Sequence, residues 1–485
     1  MSSESEQTVL PVSDFKALLP AMVLGLLVVS GLVLRPLVFD VSPIPLEMVF
    51  LAAAGFAISQ LLWMGFSWEA IQGAIITRVA RALPAILILM LIGPLVASWM
   101  IAGTIPMLVA WGIELINPNY LYVLAFLIAA IFSTLTGTSW GSAATVGVVL
   151  VGISNSLDAN TAIVAGAVIG GAYFGDKLSP LSDTTNMAAI ATGVDLFDHI
   201  RSMLWTTIPS ALIAAVGYLI VGFGLSIDSS DQATGAALDV VVALQGLFNF
   251  QLILLIPVLV VLVGSMRKWP TIPVLLLSTF SAVIVASITQ ETSLVVMLQS
   301  LVSGVTLPES AAASALPAVT TLVERGGVYS MKEAVFVAFL VYFFVGAIDL
   351  LETMPTLVRK LFGFATTQKS TVLTSLYAAA ATNALTSNQS ATAFIVGDAF
   401  SKRYDNLAIP RPVLSRSIED MGTMIESLIP WHATALFMVA TLGVPVSEYW
   451  YWQFLTLANC VVAPALVLMG IGCGFQAVKD KVGNQ

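Results

Sequence analysis

Charge is what this sequence has least of. Only 10% of its 485 residues are charged, and 58% are apolar. That balance excludes a soluble domain, because no soluble core could hide so much apolar side chain. The little charge present is acidic, 28 acids against 19 lysines and arginines, and a net charge of −9 argues against nucleic acid as a partner. Cysteine is nearly absent. Cys460 and Cys473 lie in or beside the last apolar stretch without CxxC spacing, so neither a disulfide framework nor a zinc site is expected and packing roles are. The first residues, Met-Ser-Ser-Glu-Ser-Glu-Gln, lack a basic n-region, so the first apolar run reads as a retained span rather than a cleaved signal. HExxH and P-loop strings are missing, and no enzyme chemistry or cofactor is expected.

What the chain has instead is long apolar runs. At ~20 residues per crossing they allow roughly ten to twelve spans, some incomplete, so the fold class is an all-α polytopic membrane protein in a lipid bilayer. Spans are predicted at 18–34, 48–64 and 84–103, with a more polar interfacial helix over 68–81. The apolar pieces 107–116 and 120–132 are short for a crossing. Such Gly- or Pro-interrupted pieces point to re-entrant or discontinuous helices. The second leads into a hydroxyl-rich stretch, 133–142, whose two glycines permit a hairpin tip. Asp195, Asp198, His199 and Arg201 mark a water-facing boundary before the span 203–225, with His199 exposed there. An acidic loop at 226–249 (Asp228, Asp231, Asp239) faces out and Arg267-Lys268 faces in. With Arg78 and Arg81 inside, this places the N-terminus inside.

The densest polar stretch, 175–186, reads Gly-Asp-Lys-Leu-Ser-Pro-Leu-Ser-Asp-Thr-Thr-Asn. No other basic residue lies between Arg81 and Lys177, and Glu114 and Asp158 are the only acids before Asp176. A carboxylate at bilayer depth costs ~2.5 to 3.5 kcal/mol, so Asp176 and Asp183 should face a cavity, a partner or an ion. Pro180 removes a backbone donor and disfavours helix at Ser179, which predicts a broken helix with freed carbonyls turned into the gap. Carbonyls, hydroxyls and carboxylates are the hard oxygen ligands of a small cation, and the stretch reads as a cation site. Lys177 reads either as an electrostatic counterweight or as an interfacial partner, and the second is expected.

Part of the pattern returns about 250 residues later. Pro106 and Pro355 are 249 apart, and residues 136–147 match 386–397 at Thr136, Ala143, Val146 and Gly147. The reading is two inverted-topology repeats, 16–202 and 249–474, with re-entrant hairpins and discontinuous helices. A linking span and acidic outer loop (203–248) join them, and polar tails (1–15 and 475–485) flank them. Ser387 and Asn388 belong to the mirrored hydroxyl cluster. Asp420 and Thr423 belong to an acid-bearing stretch that also holds Glu419 and Glu426 and leads to His432, read as a satisfied interior histidine.

The string at 175–186 resembles the signature of the NhaC family of sodium/proton antiporters, in the broader ion transporter superfamily. Support comes from Gly137-Thr138-Ser139-Trp140-Gly141, from Glu419-Asp420-Met421-Gly422-Thr423 and from Ile429-Pro430-Trp431. The resemblance spans roughly residues 80–440. It implies exchange of sodium for protons, some relatives coupling to malate, lactate or amino acids, a scaffold part with a transport part, and a homodimer. Asp176, Ser179, Asp183, Thr184, Thr185 and Asn186, with Thr138, Ser139 and Trp140, carry over as ion-path residues. His432 departs from the asparagine expected there. Asp176 or Asp183 would alternate between protonated and sodium-bound forms. The rival readings are exchange of an organic acid or amino acid, and an intramembrane protease pairing Asp176 with Asp398. The second lacks its Gly-x-Gly-Asp string.

Overall fold

With water absent from the bilayer interior, backbone polar groups must pair within the chain, and apolar runs of this length settle as helices. A computed structural model describes residues 13–225, 231–307, 316–363 and 365–475, and these are helical with turns between. Among them seven helices are long and apolar enough to cross a membrane, or up to ten if each of three bent pairs is one span. Most of the two predicted polar tails, and Asp228 in the predicted outer loop, lie outside the described residues.

The helices fall into two compact units. One comprises residues 1–82 and 339–364. It contains α1 (Asp14–Val28), α2 (Leu46–Trp63), the start of α3 (Trp68–Ile101), the end of α13 (Lys332–Asp349) and α14 (Thr353–Phe362). Phe50 meets Phe344 edge to face, Asp14 pairs with Lys360 at 2.6 Å, and Thr353 Oγ1 donates to the Ala17 carbonyl. The predicted interfacial helix at 68–81 is not separate. It is the first part of the 34-residue α3, which carries Pro84 and Pro94 inside it. A proline forfeits one hydrogen bond and kinks a helix, a cost that helices in membranes tolerate.

The second unit, residues 83–338 and 365–485, holds every polar cluster described below. Its first half comprises α4 (Thr104–Leu115), α5 (Leu121–Thr136), α6 (Val148–Ser156, entered through Ser139–Ser142 and a π-helical Ala143–Gly147), α7 (Thr161–Leu178), α8 (Asp183–Thr192) and α9 (Leu196–Gly224). Next come α10 (Asp231–Leu247), α11 (Ile256–Met266) and α12 (Thr271–Thr289). The stretch read as an outer loop is thus largely helix. Its buried Val240, Val241 and Leu244 keep helical spacing that a count of acids overlooked. The last part comprises α15 (Gln368–Thr386), α16 (Gln389–Asn406), α17 (Arg411–Met421), α18 (Ala433–Leu442) and α19 (Phe454–Met469).

Glycine lets α5 and α7 approach until backbones touch. A methyl group at Gly171 would run into the Phe126 carbonyl, and one at Gly175 into the Thr134 amide. Gly171→Ala is therefore expected to lower the thermal midpoint of the detergent-purified protein, at a cost of about 1 to 3 kcal/mol. An unchanged midpoint would mean that the contact yields freely.

The backbone repeats itself 250 residues apart. Gly137 ends α5 at φ 70° and Ser387 ends α15 at φ 48°. Next, Thr138 caps the Gly141 amide and Asn388 caps the Ala391 amide. Thr136 faces Ser142 across the first turn at 3.5 Å, and Thr386 faces Thr392 across the second at 3.3 Å. Asp158 and Ala408 turn the following corners at φ 50° and 51°, and Gly193 and Gly443 close the later helices.

Candidate functional site

The chain cannot stay helical through Ser179-Pro180, and α7 stops at Leu178 with Ser179 extended. Ser182 restarts it by capping the Thr185 amide. The carbonyls freed at Asp176 and Lys177 both lie within reach of Thr185 Oγ1, at 3.3 and 3.2 Å. In the last turn before the break stands Asp176, 5% exposed, accepting from Ser139 Oγ at 2.7 Å. The Ser139 amide and the Ser182 hydroxyl lie close to it without meeting hydrogen-bond geometry. One carboxylate, several hydroxyls and nearby carbonyls make a donor set for a hard monovalent cation.

At the repeat distance, α17 and the 3-10 turn Thr423–Leu428 run up to Pro430, and the His432 ring caps the Thr434 amide where Ser182 does so in the first half. Glu426 stands where Asp176 does. It accepts from Asn383 Nδ2 at 3.0 Å, Thr434 Oγ1 at 2.9 Å and Tyr173 Oη at 3.3 Å. His432 lies 3.9 Å from it and contacts Asn383 Oδ1 at 3.2 Å. Tyr173 sits on α7, one turn before Asp176, so one helix serves both carboxylates.

Between these breaks lies an ion pair. Lys177, 1% exposed, pairs with Asp420, which also accepts from Thr206 Oγ1 at 2.8 Å and lies 3.8 Å from Arg416 Nε. Arg416 donates to the Ser202 and Gly472 carbonyls. Lys177 is therefore a buried counter-charge and not the interfacial partner expected, because α7 carries it inward against α17. His199 is corrected in the same way. It is fully buried with Nδ1 2.8 Å from Ser415 Oγ, since the first turn of α9 packs on α17.

The predicted residues separate. Ser139 and Asp176 are in direct contact, and Thr185 joins them through the Asp176 carbonyl. Thr184 reaches Ser182 Oγ at 3.1 Å. Ser179 spans to the Thr134 carbonyl, and Asn186 covers the Pro180 and Ser182 carbonyls. Asp183 is exposed at the start of α8. Thr138 and Asn388 are helix caps, Ser387 Oγ accepts from the Ala433 amide, and Trp140 stacks on Phe437 at 4.3 Å. Asp420 neutralises fixed cations, and Thr423 Oγ1 is buried without a partner. Asp398 is exposed, unlike Asp176. Gly137-Thr138-Ser139-Trp140-Gly141 spells the Gly-x-Ser-x-Gly order of a hydrolase elbow. It joins two helices here, and the Ser139 hydroxyl is committed to Asp176.

Two acids named in the sequence, Glu426 and Glu419, were not assigned to the site. The 250-residue offset noticed at Thr136 and Thr386 pairs Asp176 with Glu426 when carried forward, a signal that was available. Glu419 had only its place beside Asp420 to mark it.

Broken helices whose gaps hold buried carboxylates, hydroxyls and a compensating ion pair define an ion-coupled secondary transporter, a multi-pass membrane protein and not an enzyme. The sequence profile of the Na+/H+ antiporter family matches residues 171–471, and the chain belongs to that family, in its NhaC branch. It is 38% identical over 461 residues to an uncharacterized Na+/H+ antiporter of Haemophilus influenzae, covering 95% of this chain and 97% of that one. It is 33% identical over 479 residues to the Na+/H+ antiporter NhaC of Alkalihalophilus pseudofirmus, covering 97% and 98%. The malate-2H+/Na+-lactate antiporter of Bacillus subtilis is 30% identical over 427 residues, covering 87% and 89%.

Proposed function

We infer that the chain exchanges sodium for protons across the cytoplasmic membrane by alternating access, with Asp176 as the sodium ligand. The observation that carries this is the burial of Asp176 at the Pro180 break among the Ser139 and Ser182 hydroxyls. Asp183 is the outer and secondary ligand in this reading. A desolvated carboxylate must be neutralised, and sodium and proton are the two cations that compete for the negative charge of this cluster. Movement only when the charge is neutralised then makes exchange obligatory. Inverted repeats, a scaffold with a transport part, and a homodimer complete the picture.

A second reading, coupling to an organic acid or amino acid, is favoured by one feature. The donors to Glu426, namely Asn383, Thr434 and Tyr173, exceed what a bare cation needs. The relationship to a malate and lactate exchanger points the same way. Everted vesicles carrying a pH-sensitive dye separate the two. Sodium chloride alone is expected to move protons, and a response only when malate, lactate or an amino acid is added would transfer the assignment to the rival.

A further inference from the structure

Four buried carboxylates surround the two breaks, and they are held very differently. Asp420 has Lys177, Arg416 and Thr206. Glu426 has three donors, and Asp176 has Ser139. Glu419 is fully buried, and neither carboxyl oxygen has a hydrogen-bond partner. The Thr423 hydroxyl approaches it without meeting hydrogen-bond geometry.

An ionised carboxylate buried without a donor is costly, and a proton removes that cost. Yet Glu419 is not remote from charge. Lys177 and Asp176 on α7 and Glu426 on the following turn all act on it. Its own helix adds Arg416 and Asp420, which are committed to each other and to Lys177. Of the other ionisable groups on the packed helices, His199 is spent on Ser415, Tyr404 is bonded to Ser375, Tyr218 donates to the Trp452 carbonyl and Cys460 lies near Asp420, while Asp183, Asp198, Arg201, Lys369, Tyr377, Asp398, Lys402 and Asp405 are exposed and Arg403 is half-buried. Of the charges that act on Glu419, that of Asp176 is the one a sodium ion bound at the Pro180 break would change.

We propose that Glu419 is the residue that carries the exchanged proton, separate from the sodium ligand Asp176 and coupled to it through space. While Asp176 is bare, its negative charge holds the proton on Glu419. Sodium at Asp176 cancels that charge, Glu419 ionises, and the proton leaves. Four acids against Lys177 and Arg416 total −2. One proton on Glu419 or one sodium on Asp176 leaves −1 in either case, so the two loaded forms are electrically equivalent. This rests on Asp176 binding sodium, and it places the competing proton on a different atom.

Linkage is reciprocal, so a proton on Glu419 must weaken sodium binding as much as sodium weakens the proton. Sodium affinity of the purified protein, measured with radioactive sodium, is expected to rise with pH, by roughly 5- to 150-fold from the protonated to the ionised form. E419Q fixes the protonated charge. It should bind sodium with the weak affinity of the acidic form at every pH and lose exchange, and E419D should restore the pH dependence. An unaltered pH dependence in E419Q overturns the proposal and puts the proton on Asp176 itself. D176N tests the underlying reading apart from this one, since sodium binding that survives there removes Asp176 and leaves the Glu419 result standing. Where E419Q fails to fold, infrared difference spectra of the wild type and E419D decide. Sodium should abolish a protonated-carboxyl band whose frequency differs between the two, and a band identical in both refutes the assignment.

Discussion

Asp176→Asn is expected to abolish sodium-driven proton movement in everted vesicles, by at least about 100-fold, while the protein still inserts and folds. A cation about 2.4 Å from a carboxylate oxygen gains about 7 kcal/mol at an effective dielectric near 20. An amide offers only a dipole in its place, and each 1.4 kcal/mol lost is about tenfold in affinity. Folding survives because asparagine keeps the shape and still accepts from Ser139 Oγ. Asp183→Asn serves as the comparison. Its exposed position at the start of α8 gives a smaller effect, and equal loss in both variants would remove the distinction drawn from burial.

The second large effect concerns folding. Asp420→Asn strands Lys177 and Arg416 in an interior where both are about 1% exposed, and it takes a charged acceptor from Thr206. Breaking a buried pair from one side costs about 3 to 5 kcal/mol, because the remaining charge is left desolvated and alone. Thermal unfolding in detergent should show a large drop for Asp420→Asn, and the double variant Lys177→Met with Asp420→Asn should recover part of it. If the double variant is no more stable than the single one, the stranded Lys177 charge is not the cause and the ion pair contributes little.

Both effects trace to residues whose roles were unevenly legible in the sequence. Asp176 announced itself, because a carboxylate beside Pro180 in an apolar run has few other uses. Lys177 did not, since a lysine at a helix end reads as interfacial until one sees which helix faces it. Asp176 and Asp183 look alike by composition, and seven residues of spacing cannot say which is buried, because the helix between them is broken and restarts in a new direction. Glu426 becomes legible only when the 250-residue offset is carried forward from Asp176.

The sequence by itself determined the class of molecule, the Pro180 break, the hydroxyl-rich turn at Gly137 and the recurrence of features 250 residues on. Those follow from local rules: apolar runs that must satisfy their own backbones, a proline that cannot donate, and turn residues that accept φ above zero. Only the tertiary structure decided which carboxylates are compensated. Asp420 meets Lys177 across 243 residues of chain and Tyr173 meets Glu426 across 253. A charge's partners are set by which helix faces pack together, a long-range property that no local spacing records.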